Sequence, residues 1–136
     1  MAGFERQNEI SALLAAAGKR STSDAAALSE RLSPGEDPKA ILRPEGLKGI
    51  LLATNQRLIF HADSGLRNFG VAYRGPPEWR YDMVHEVVHN ASQFGGALQL
   101  SVGDSALKFA VRDRRRLGEF SATLGTEVSR RRYGQR

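Results

Sequence analysis

The sequence predicts an α+β domain in which short helices come first, six or seven mostly antiparallel strands follow, and one amphipathic helix closes the chain. Three observations carry that prediction. Apolar residues recur at helical spacing near both ends, two hairpins with matched alternation occupy the middle, and 136 residues suffice for one core but not comfortably for two.

Ile10, Leu13, Leu14 and Ala17 share one helical face and Gly18 follows as a stop, which predicts a first short helix. Ser21-Thr22-Ser23-Asp24 has capping-box spacing ahead of Ala25, Leu28 and Leu32, which predicts a second. In Ser33-Pro34-Gly35-Glu36-Asp37-Pro38 two prolines and a glycine deny the chain regular hydrogen bonding, and the strands begin after it.

Residues 40–42, 50–53 and 57–62 read as strands, separated by Pro44-Glu45-Gly46 and by a turn at Asn55-Gln56. A two-residue turn there sets Leu52 opposite Ile59. Between Asp63 and Pro77 the pattern is broken by Gly65, Gly70, Gly75, Pro76 and Pro77, with Phe69, Val71 and Tyr73 marking an intervening strand. Leu98, Leu100 and Val102 alternate with polar residues, Gly103-Asp104 turns the chain, and Leu107, Phe109 and Val111 alternate again. That turn pairs Leu100 with Leu107 and Leu98 with Phe109, so all six apolar side chains take one sheet face. Asp113 is placed to cap a final helix with Leu117, Phe120, Leu124 and Val128 as its stripe, although Gly118 and Gly125 lower its propensity.

The apolar share is 40% and the charged share 26%, and no apolar run reaches the roughly 20 residues that span a bilayer. Zero cysteines exclude disulfides, thiolate zinc sites, iron-sulfur clusters and cysteine nucleophiles. Met1-Ala2-Gly3-Phe4-Glu5-Arg6 lacks the basic start and apolar stretch of a secretory signal, so the expected location is cytoplasmic. The net charge of +5 lies entirely in residues 112–136, which hold 8 Arg against 3 acids, while residues 1–111 hold 12 cations against 12 acids. Such asymmetry points either to an anionic partner, whether phospholipid, nucleic acid or acidic protein, or to a merely arginine-rich composition.

Leu32-Ser33-Pro34-Gly35-Glu36, then the hairpin Thr54-Asn55-Gln56-Arg57-Leu58-Ile59-Phe60, then Tyr81-Asp82-Met83-Val84 ahead of another strand resembles the bacterial pleckstrin-homology-like (PH-like) domains and their GRAM-type relatives. The resemblance covers roughly residues 32–128, and the Thr-x-x-Arg-apolar hairpin is its most specific part. It implies a bent β-barrel or pair of sheets closed by the C-terminal helix, with Phe120 plugging the core. The chain then divides into a helical segment at 1–32, the PH-like domain at 33–129 and a basic tail at 130–136. The Gly/Pro stretch at 63–77 is longer than the corresponding connection in the family, which leaves room for an inserted loop or a different strand order.

The resemblance further implies a non-catalytic binding module without a cofactor. Its expected partner is another protein or further copies of itself, with peripheral contact to an anionic membrane as a third case. Phosphoinositide-binding relatives cluster cations around the first hairpin; here Lys39, Arg43 and Lys48 flank that turn, without the usual spacing.

His85-Glu86-Val87-Val88-His89 matches H-E-x-x-H, in which two helical histidines grip zinc and the glutamate activates water. A zinc-dependent hydrolase is therefore the alternative function. That chemistry needs a helix, because residues four apart on a strand stand about 13 Å apart. The PH-like order places the segment on a strand, and no third-ligand motif follows. Arg112, Arg114, Arg115 and Arg116 stand beside a helix N-terminus whose dipole they oppose, so a phosphate or carboxylate there would gain both helix amides and guanidinium forks. Arg130, Arg131 and Arg132 suit the helix C-terminus and need no partner. With Tyr133 as the nearby stacking group and no recognition motif, sequence-specific nucleic-acid binding is not expected.

Overall fold

Period-two alternation and tight turns pair neighbouring strands in chain order. The computed structural model describes residues 2–18, 22–47, 49–62, 78–92 and 95–133. Among these, helices α1 (Ala2–Ala16) and α2 (Thr22–Arg31) lead into strands β1 (Pro38–Leu42), β2 (Gly49–Thr54), β3 (Arg57–Ala62) and β4 (Glu78–Arg80). A 3-10 turn (Tyr81–Met83) precedes β5 (Val84–Ser92), β6 (Gly95–Val102), β7 (Ser105–Val111) and α3 (Arg114–Tyr133). No described helix is long and apolar enough to cross a membrane.

The expected α+β architecture is present as two antiparallel sheets, ordered β1-β2-β3-β4 and β5-β6-β7, which do not join into one closed ring. Leu52 faces Ile59, Leu100 faces Leu107 and Leu98 faces Phe109, as the turn lengths require. Gly103, at φ 56°, takes the first central position of the β6–β7 turn, where a side chain would be strained. The intervening strand expected around Phe69, Val71 and Tyr73, the cap at Ser21 and the whole 63–77 stretch lie outside the described residues. β4 has only three residues, too few to display alternation, and Tyr81–Met83 of the family-like segment forms a 3-10 turn directly ahead of β5.

β2 is buried along its whole length, because each of its faces has a core. Leu51 and Ala53 face the space between the sheets, where Leu58, Phe60, Trp79, Leu98, Phe109 and the α3 stripe of Leu117, Phe120, Leu124 and Val128 converge. Ile50 and Leu52 face outward and meet Ile10, Leu14, Ala25, Leu28 and Leu32 of the N-terminal segment. Phe120 is 2% exposed and fills the inner core as expected. Trp79 of β4 meets Phe109 of β7 edge to face at 6.1 Å, linking the two sheets.

Gly96 sits where β5, β6 and the start of α3 meet. A Cβ there would collide with the Asn90 carbonyl oxygen of β5 and stand 2.7 Å from Leu117 Cδ2, and the backbone contact is the one that demands glycine. The close crossing brings the first turn of α3 beside the β1–β2 connection.

Candidate functional site

β1 ends at Leu42, and its turn into β2 is pinned to the second sheet where the Glu45 N–H donates to the Ala110 carbonyl at 2.6 Å. The start of α3 and the end of α1 close around that turn. Arg43, Arg112 and Arg116, from three parts of the chain, therefore border one recess of about 570 Å³. Its walls are the Ala15–Gly18 end of α1, Leu42, Pro44 and Val111.

Internal contacts hold these arginines lightly. Arg43 Nη1 donates to the Gly18 carbonyl at 3.1 Å, Arg112 Nε to Glu45 Oε2 at 3.2 Å, and Arg116 Nε lies 3.4 Å from Asp113 Oδ2. A guanidinium carries five N–H donors, so most donors of the three side chains remain for another acceptor. Asp113 caps α3, its Oδ1 accepting the Arg116 amide at 3.2 Å, and so supplies the negative charge that the helix dipole favours. Arg115 pairs with Glu119 at 3.4 Å along the helix surface, and Arg114 is exposed on the same first turn. Part of the countercharge that the sequence left open thus comes from the chain itself.

Lys39 stands in a second cleft of about 230 Å³ between α1 and α3, which shares Ala16 and Arg116 with the first. Lys48 lies outside the described residues. Of the seven cations that the sequence marks, Arg43, Arg112 and Arg116 come together, Lys39 borders the adjoining cleft, and Arg114 and Arg115 project from the rim.

A second polar cluster, at the opposite turn of the first sheet, escaped the sequence reading. Thr54 Oγ1 accepts the Gln56 and Arg57 amides at 3.0 Å and donates to Glu36 Oε2 at 2.7 Å, closing the β2–β3 turn onto a fully buried carboxylate. Arg57 donates from Nε and Nη2 to the two Glu36 oxygens at 3.0 Å, from Nη1 to Glu78 at 2.7 Å, and from Nη2 to the Arg31 carbonyl at 2.7 Å. Burial pushes the Glu36 carboxyl up, but hydrogen bonds from Arg57, the Ser33 amide and Thr54 outweigh it and hold the group below its ordinary value. Hydrogen bonding to Glu36 likewise raises Arg57, against the cost of its own burial. Tyr81, whose hydroxyl donates to the Thr54 carbonyl at 2.7 Å, is pushed far up by burial and by the Glu127 carboxylate. The Thr54-x-x-Arg57 spacing was the one signal pointing here.

A crystal structure of a pleckstrin homology domain from Shewanella amazonensis SB2B matches this chain with a TM-score of 0.53 at 19% identity, over 78% of this chain and 96% of that one. The fold is that of a pleckstrin homology domain. No family model matches the sequence, and no curated protein does. Within the PH-like fold, His85-Glu86-Val87-Val88-His89 lies in β5, with a bulge between Val84 and Glu86. His89 faces Leu98 while His85 sits in the bulge, and residues four apart on a strand are about 13 Å apart, too far to share one ion. Among the described residues no group of three or more His, Asp or Glu side chains is placed to hold a metal. The zinc-hydrolase alternative has no geometric support.

Proposed function

We propose that this PH-like chain is a non-catalytic binding module that docks a protein partner at the recess between the end of α1, the β1–β2 turn and the start of α3. One observation carries the reading: Arg43, Arg112 and Arg116, remote in sequence, border a single recess with most of their donors unused. Arginine is enriched where interfaces carry binding energy, because its planar fork recognises carboxylates bidentately. Self-association and peripheral contact with an anionic membrane are the competing readings.

Site-directed photo-crosslinking in cells tests it, with a benzoylphenylalanine at Ala16 on the recess wall and a control at Thr126 on the outer face of α3. Discrete adducts from position 16 that disappear in an Arg112→Glu/Arg116→Glu background are expected. An adduct of twice the chain's mass would name a second copy as the partner. Equal adducts from both positions would reject the assignment. Liposome flotation is the counterpart measurement: binding to anionic but not neutral vesicles, lost at near-physiological salt and on reversing Arg114, Arg115 and Arg116, would replace the protein partner with a membrane.

A further inference from the structure

Resting on that docking reading, we infer that the partner presents an extended acidic segment, laid along β1 through the two joined clefts, with an apolar side chain in the larger one. The two clefts share Ala16 and Arg116 and follow one another along β1, with Lys39, Ala40 and Ile41 in the smaller and Leu42 and Arg43 in the larger. An elongated depression suits an extended chain better than a flat surface. β1 is also the outermost strand of its sheet, and among the described residues its backbone hydrogen bonds go to β2 alone. One edge of its N–H and C=O groups therefore faces away from the sheet, the geometry that strand addition uses. The pairing of β1 shifts between Pro38 and Ala40, and Pro38 has no N–H, so the regular edge is residues 40–42, roughly 10 Å long, which matches a partner segment of about three residues.

Charge selects the class of segment. Lys39, Arg43, Arg112 and Arg116 border the two clefts against Glu45, Asp113 and Glu119, and the cations keep spare donors while a carboxylate has none to offer. The exposed methyl groups of Ala15 and Ala16, with Ala17, line the recess above the buried Leu42, Pro44 and Val111 and accept an aliphatic side chain, so acidic and apolar residues should alternate along the segment. A bilayer fits less well. Met83 and Val88, the large apolar side chains most exposed among the described residues, belong to the 3-10 turn and β5 and do not line the recess, so the cationic end carries no apolar group to insert.

The test is nuclear magnetic resonance titration of the full, 15N-labelled chain with a peptide alternating glutamate and leucine, its glutamine-for-glutamate counterpart, and phosphatidylcholine vesicles containing phosphatidylserine. The acidic peptide should shift the amides of Ala16, residues 39–43 and residues 112–120, and slow hydrogen exchange in β1. The glutamine peptide and the Arg112→Glu/Arg116→Glu variant should each bind at least tenfold more weakly, while Arg130→Glu leaves affinity unchanged. Should the double variant lose its dispersed spectrum, Arg112→Gln alone, at an exposed position, replaces it with the same expected direction. Equal binding of the two peptides overturns the acidic segment, and shifts confined to other residues overturn its placement; in both cases the docking module stands. Shifts at these residues produced by the vesicles alone overturn the protein partner as well, and silence with every probe overturns the inference.

Discussion

The two ends of the first sheet use the same side chain in opposite ways. At the β2–β3 turn, Arg57 is 18% exposed and directs Nε, Nη1 and Nη2 to Glu36, Glu78 and the Arg31 carbonyl. At the β1–β2 turn, Arg43, Arg112 and Arg116 each commit one nitrogen to an acceptor of the chain. A guanidinium with four of its five donors bonded inside the chain fixes the fold. One that commits a single donor at the border of a recess adds little to folding and keeps the rest for something outside. The difference is therefore one of donor use rather than residue type, and it can be tested by breaking each end separately.

Removing Arg57 should have the largest effect. Arg57→Ala leaves a carboxylate with no side-chain exposure without its cation, held only by the Ser33 amide and the Thr54 hydroxyl, and losing one member of such a pair costs about 3–5 kcal/mol. Arg43→Ala or Arg112→Ala should each cost less than about 1 kcal/mol, as exposed pairs do. Urea denaturation of the three variants makes the comparison directly. A cost near that of the recess arginines for Arg57→Ala would mean that the cluster is decorative.

Acid gives the same contrast without a substitution at Arg57. Glu36 has a folded value below its ordinary 4.5, so its contribution to stability is complete above that pH and is lost as the pH falls through the lower folded value. Melting temperature should therefore decline below about pH 4.5 more steeply in the wild type than in Glu36→Gln, which starts less stable but has no such carboxyl to protonate. Parallel curves for the two proteins would show that Glu36 does not govern acid stability.

How much of this was legible in the sequence follows from the range of the interactions. The β2–β3 and β6–β7 hairpins and the α3 stripe rest on near neighbours and regular periods, so residue spacing located Leu52 opposite Ile59 and put Phe120 on the apolar stripe, and the family resemblance added that it fills the core. β4 is too short to have a period, and β5 has a bulge between Val84 and Glu86 and is exposed along most of its length, so neither displays one. Glu36 and Arg57 lie 21 residues apart, and nothing local in Ser33-Pro34-Gly35-Glu36 announces that its carboxylate will be buried. Lys39 and Arg43 were marked by their place around the first hairpin, as the family resemblance implies, and Arg112 and Arg116 by their charge beside a helix N-terminus. That Arg43 joins Arg112 and Arg116 goes with the Glu45–Ala110 bond, which ties the β1–β2 turn to β7 and exists only between the folded sheets.

Between the two extremes stands Tyr81, whose hydroxyl closes the Thr54 carbonyl at 2.7 Å in a fully buried position. Tyr81→Phe keeps the ring in the core and orphans that carbonyl, a loss of about 1–3 kcal/mol. The cost should be smaller than that of Arg57→Ala because no charge is stranded. Thermal denaturation measures it, and a variant as stable as the wild type would place the Thr54 carbonyl in contact with water.

The smallest effect on folding should accompany the most informative effect on binding. Glu45 and Arg112 are 50% and 87% exposed, so Glu45→Gln should change stability by less than about 1 kcal/mol. The substitution leaves the backbone bond from Glu45 to Ala110 in place, which keeps the turn where it is. What it removes is the carboxylate that competes for Arg112. An acidic segment entering the recess should then bind more tightly, by up to about fivefold, the equivalent of an exposed pair, with a steeper dependence on salt. Weaker binding after Glu45→Gln would mean that Glu45 itself contacts the partner and that the recess selects a cation. Unchanged affinity would place the partner away from Arg112, leaving Arg43 and Arg116 as the pair to reverse next.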